Sequence, residues 1–183
     1  MRWPILLACA AVLAPSLARA DAEMLGKGTM QVGGSASFNV EQVSSVAVTR
    51  GYRFSVSPGF GYFVIDRLEL RVGAGFDVPF GSLHQDATKT VFVDGGARYY
   101  LDAGHGLYPY LGAAAGPLLA ILDTGETSTS IAFSIPFGLL YAFNRHVALD
   151  VGARVDYSRV LTNGSGSTLT VPIGYFGVQA FFD

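Results

Sequence analysis

Ser82, His84 and Asp86 are the one set of side chains in this sequence that could supply a nucleophile, a base and an orienting acid. Their period-two spacing would put all three on one face if a strand continued through them. Pro79 and Gly81 place them in a loop instead, where the fixed geometry that nucleophilic catalysis requires is hard to reach, so no enzymatic activity is expected. The three histidines, His84, His105 and His146, sit in separate connections without metal-ligand spacing and read as solvated turn residues. Neither a metal nor a cofactor is expected.

A second set of chemistry-bearing residues is larger. Arg53, Glu69, Arg71, Asp77, Asp94, Arg98, Asp150, Arg154 and Asp156 all fall on the polar side of alternating runs. The runs are plainest from Gly51 to Pro79. Leu68, Leu70, Val72, Ala74, Phe76 and Val78 take one face there, against Glu69, Arg71, Gly73, Gly75 and Asp77 on the other. Tyr52, Phe54, Val56, Phe60, Tyr62 and Val64 alternate in the same way with Arg53, Ser55, Ser57, Gly59 and Gly61, and Asp66-Arg67 marks the reversal. Period two over two such runs is a long β-hairpin.

The polar face decides what covers the apolar one. A soluble barrel would show water Lys, Glu and Thr, whereas this face is Gly, Ser and a few charges of both signs, as a narrow filled lumen requires. The large residues therefore point outward, to lipid. A slip of one residue along Leu68 to Val78 would turn Glu69, Arg71 and Asp77 to the membrane, at up to roughly 2 to 4 kcal/mol for a basic residue at mid-depth.

Composition agrees. Half of the chain is hydrophobic and 14% is charged, which is apolar for a soluble domain. No apolar run suits a spanning helix, since the best, Leu107 to Leu122, contains Pro109, Gly112, Gly116 and Pro117. The opening MRWPILLACAAVLAPSLARA reads as a secretory signal peptide, residues 1–20, cut after Ala18-Arg19-Ala20. The remainder, 21–183, is long enough for one domain. Losing Arg2 and Arg19 leaves 10 Lys plus Arg against 14 Asp plus Glu, a formal charge of minus 4 that gives no reason to expect nucleic acid. Cys9 leaves with the signal, so stability must come from the backbone ladder and packing.

Further alternating segments follow at 28–40, 90–101, 108–120, 131–143, 147–157 and 168–182, giving eight strands in all. The faces of 108–120 and of 168–175 stay open, because apolar and small residues occupy both sides, and Pro109 and Pro117 are candidate bulges. Short connections at 66–67, 102–106 and 144–146 alternate with longer ones at 41–47, 80–88, 123–129 and 158–167, the asymmetry of an all-β, antiparallel, up-and-down transmembrane barrel. Tyr52, Tyr62, Phe76, Tyr99, Tyr108, Phe143, Tyr157 and Phe182 fall near strand ends, where interface girdles belong. In a barrel this narrow the inward charges are expected to pair with one another and close the lumen; a small channel for ions or hydrophobic solutes is the alternative.

With these features the sequence resembles the eight-stranded outer-membrane barrels of the OmpA and OmpX type over the whole chain after the signal. The most specific match is C-terminal, where Tyr175, Gly177, Ala180 and Phe182 fit that family's assembly signal, with Asp183 beyond the aromatic and Ala180 where a bulkier residue is usual. The resemblance implies recognition by the barrel-assembly machinery, residence in the cell outer membrane, and lipid and lipopolysaccharide as surroundings. A structural or surface-interaction role is expected, with the surface partner unspecified. Lipid-modifying enzymes occur among such barrels and would need the Ser82, His84 and Asp86 set. The peptidoglycan-binding domain common after OmpA-like barrels is not expected here.

Overall fold

The computed structural model describes residues 24–44, 48–81, 89–121, 125–162, 167–170 and 174–183. The expected signal peptide and Ser82, His84 and Asp86 lie outside them. Regular structure among the described residues is all strand: β1 (Met30–Ser44), β2 (Val48–Ile65), β3 (Leu68–Gly81), β4 (Lys89–Tyr100), β5 (Leu107–Ile121), β6 (Thr127–Asn144), β7 (Val147–Val160), β8 (Ser167–Thr170) and β9 (Tyr175–Phe182). Both β8 and β9 lie antiparallel on β7 and together make the eighth stave. Each stave pairs with its neighbour in sequence, and β9 pairs with β1 from Met30↔Phe182 to Ser37↔Tyr175. The ring is a closed eight-strand antiparallel meander. From Met30↔Phe182 to Ser37↔Tyr175 closure pairs the two edges of the sheet with each other, as a hydrocarbon environment requires.

The strands run further than the alternation indicated. β1 continues through Glu41 to Ser44, where a loop was expected, and β7 continues to Val160. Backbone pairing carries a strand past the point where its side chains stop alternating, because ladder hydrogen bonds do not depend on side-chain type. The two prolines of β5 are not bulges: Pro109↔Leu139 and Pro117↔Ile131 keep one register with β6. The register shifts occur instead at Phe63/Ile65 and at Ala142/Asn144, beside tight turns. The first of them turns Ile65 outward, although it shares the odd-numbered side of β2 with the inward Phe63.

The faces are as the alternation requires. Val72 is 58% exposed and Val151 49%, while the neighbouring Gly73 is buried and Gly152 half-buried. The open face of β5 resolves with Leu111 and Leu119 outward and Tyr108 and Tyr110 inward. On β9, Phe176, Val178 and Phe182 are outward and Gln179 and Phe181 inward. Tyr108 is therefore no girdle residue, since its even-numbered position on β5 faces the lumen. The other seven expected girdle aromatics are exposed.

At the end with the short turns the lumen is filled by an apolar cluster. Met24 and Leu25 enter from below and meet Phe63, Tyr100, Tyr108, Leu140 and Phe181. Backbone bonds fix this entering segment: Arg67 N–H donates to Leu25 O at 2.7 Å and Gly28 N–H to Phe63 O at 2.8 Å. The turns beside it are locally made. Arg67 and His105 take positive φ (66° and 56°). Asn144 Oδ1 accepts from the N–H groups of His146 and Val147 at 2.8 and 2.9 Å, an Asx turn. Arg67 ties two turns together through Asp102 at 3.0 Å.

Candidate functional site

Above the apolar cluster lies a belt of polar side chains from six staves. Asp150 of β7 is its centre and is wholly buried. Arg98 of β4, also buried, donates to Asp150 Oδ2 at 3.0 Å. Tyr110 of β5 donates to Asp150 Oδ1 at 2.5 Å, and Gln179 of β9 donates to Oδ2 at 3.2 Å. Tyr175 hydrogen-bonds Tyr110 and accepts from Arg98 at 3.4 Å. Arg98 also stacks over the Tyr110 ring, 4.8 Å from its centroid, a cation–π contact in a desolvated setting.

Glu69 of β3 forms the neighbouring node. It is buried and accepts from Tyr100 Oη at 2.7 Å. Gln31 of β1 joins the two nodes. In one amide orientation it donates to Gln179 Oε1 at 2.5 Å, and with the amide turned over it donates to Glu69. Amide orientation follows from the network around it, and either choice links β1 to the belt.

Glycines make room for these groups. A Cβ on Gly61 would meet the Glu69 carboxylate, and one on Gly138 or Gly152 would come within 2.7 Å of the Tyr110 hydroxyl. The inward glycines of β2, β6 and β7 thus accept the large side chains reaching across from β3 and β5.

Of the nine charges read as a lumen network, Glu69, Arg98 and Asp150 meet in this belt. Arg154 and Asp156 pair with each other along β7 at 2.8 Å, Ser134 hydrogen-bonds Asp156, and Arg154 lies 5.5 Å over the Phe92 ring. Arg71, Asp94 and Asp77 make no ion pair among the described residues, and one carboxylate oxygen each of Asp77 and Asp94 is buried without a partner. Arg53 is inward and half-buried. Sequence reasoning missed the neutral half of the belt, Tyr110, Tyr175 and Gln179. The faces of Tyr110 and Tyr175 were open, Gln179 was assigned none, and Tyr175 carried weight only in the assembly signal. There, Tyr175 and Gly177 point inward while Ala180 and Phe182 lie on the outer side.

Higher still, a small serine-rich space open to solvent lies between the belt and the loop end. Among the described residues no group of three His, Cys, Asp or Glu side chains could hold a metal ion.

Bulky side chains outward over a closed meander, with charges gathered inside, are how a protein spans a membrane on strands, and this chain has the fold of an eight-stranded outer-membrane β-barrel. Among solved structures it is similar to Neisserial surface protein A, at 25% identity over 85% of this chain and 98% of that one, with a TM-score of 0.65. It is also similar in fold to the outer membrane protein OprG from Pseudomonas aeruginosa, at 15% identity over 88% and 99% of the two chains, with a TM-score of 0.51. No family model matches the sequence. No curated protein matches it either.

Proposed function

We propose that this protein is a non-enzymatic barrel of the outer membrane with a structural or surface-interaction role, and that its lumen is closed to conduction. The observation that carries the closure is the stacking of two fillings across one narrow interior. The apolar cluster around Phe63, Tyr100 and Phe181 lies below, and the Arg98–Asp150 belt above it is bonded to several staves. An ion crossing would have to part both. A surface role is supported by likeness to a protein named for the cell surface. The chain is exported by residues 1–20, cleaved before Asp21, and inserted by the barrel-assembly machinery reading Tyr175, Gly177, Ala180 and Phe182. Lipid and lipopolysaccharide surround it.

Planar bilayers test the closure. The wild type is expected to give no persistent openings. Persistent openings whose size changes in Arg98→Ala or Arg154→Ala would replace this reading with the small channel. A change in lipid A mass that depends on His84, measured on His84→Ala, would replace it with a lipid-modifying enzyme; an unchanged spectrum is expected.

A further inference from the structure

The outer side of the wall carries very little charge, and what it carries has one sign and one height. Among the described residues the charged side chains on outward strand positions are Lys89 of β4 and Arg159 of β7. Lys89 opens β4 and Arg159 is the last residue but one of β7, so both stand at the loop end. Both are exposed, and among the described residues neither side chain makes an ion pair or a hydrogen bond. Glu126, an acid at the head of β6 between them, has an interaction of its own. The opposite rim is arranged differently: Arg67 is paired with Asp102 at 3.0 Å, and Arg145 donates to His146 Nε2 at 2.9 Å. Beneath the two free cations β5, β6 and β7 turn Leu119, Phe133 and Tyr157 outward, with Phe133 directly opposite Tyr157. Neighbouring staves lie about 4.8 Å apart, so the three steps from β4 to β7 separate the cations by roughly 14 Å around the wall. That is wider than one phosphate group.

We infer that the β4–β7 face is a binding site for a bisphosphorylated glycolipid of the lipid A class, seated in the leaflet at the loop end. Lys89 takes one phosphate, Arg159 takes the other, and the acyl chains lie on Leu119, Phe133 and Tyr157. Long basic side chains above an apolar wall reach the headgroup level, where each attracts anionic lipid. The spacing then favours a disaccharide headgroup with a phosphate at either end over a headgroup with one. The chain as a whole is acidic, so it offers an anion no general attraction, and binding depends on where these two cations stand. The inference rests on the reading of this chain as an outer-membrane barrel, and it is independent of whether the lumen conducts.

The test titrates the folded barrel in detergent micelles and counts bound lipid by native mass spectrometry. Diphosphoryl lipid A is the probe; monophosphoryl lipid A, phosphatidylglycerol and inorganic pyrophosphate are the controls. Saturable one-to-one binding of diphosphoryl lipid A is expected, with the two other lipids about fivefold weaker and no displacement by excess pyrophosphate. Lys89→Gln and Arg159→Gln are each expected to weaken diphosphoryl lipid A about fivefold, the scale of one basic residue at an anionic surface. Arg145→Gln, at the opposite rim, should leave it unchanged. Heat-modifiable gel migration shows that the variants fold; if they do not, the comparison of ligands on the wild type decides. Equal binding of the other lipids, displacement by pyrophosphate alone, or the same loss in Arg145→Gln overturns the inference. Spin labels at Val72 and Val151 report the membrane reading separately: lipid contact there without selective lipid A binding sinks this inference alone, and water there sinks the reading beneath it.

Discussion

Asp150→Ala should destabilise the folded barrel by about 3 to 5 kcal/mol, because it leaves Arg98 buried and without its ion-pair partner. Arg98 keeps one other hydrogen bond, to Tyr175 at 3.4 Å, and its Nε is already buried without a partner. The converse change is milder. In Arg98→Met, Asp150 still accepts from Tyr110 at 2.5 Å and from Gln179 at 3.2 Å, so its charge stays partly satisfied. The loss should therefore be smaller than for Asp150→Ala. Urea unfolding in lipid vesicles, followed by the gel mobility of unboiled samples, measures both. A loss under about 1 kcal/mol for Asp150→Ala, or the reverse order of the two variants, would show that the belt is not held together at Asp150.

Val72→Arg should cost about 2 to 4 kcal/mol in the same assay, while Val78→Arg should cost about 0 to 1. Both positions face outward on β3, 58% and 39% exposed. They differ in depth: Val72 sits opposite Phe60 and Gly95 in the body of the wall, whereas Val78 lies near the loop end of its strand. At the rim an arginine can reach the headgroups with its long side chain, and in the middle it cannot do so cheaply. An apolar face covered by protein instead of lipid would give comparable losses at both positions through lost packing. Equal costs at Val72 and Val78 would argue against a membrane on that side.

The wall was legible in the sequence because alternation is a local property. Leu68 to Val78 and Thr90 to Leu101 each declare their two faces without reference to any other strand. Where both sides are small or apolar, as in Tyr108 to Ala120, periodicity has nothing to distinguish, and the face of Tyr108 came out only through pairing with β4 and β6. Strand ends were read short for a related reason, since backbone ladders persist through polar residues such as Glu41. The belt was half legible. Inward charges could be picked out one strand at a time, but which of them meet depends on stagger around the ring, so Arg98 and Asp150 could be placed inside without being paired. Tyr110, Tyr175 and Gln179 carry no charge, and nothing in their own strands marks them as donors to Asp150. Met24 and Leu25 precede the first strand and show no periodicity, and their place under the barrel follows from backbone bonds to Phe63 and Arg67.

The account stands on acyl chains covering the bulky side of the wall. Spin labels at Val72, Gly73, Val151 and Gly152, read for oxygen against water-soluble quencher accessibility in vesicles, test this directly. The predicted result is lipid contact at 72 and 151 and a polar, shielded setting at 73 and 152. Water at 72 and 151 with a dry apolar pocket at 73 and 152 would contradict it.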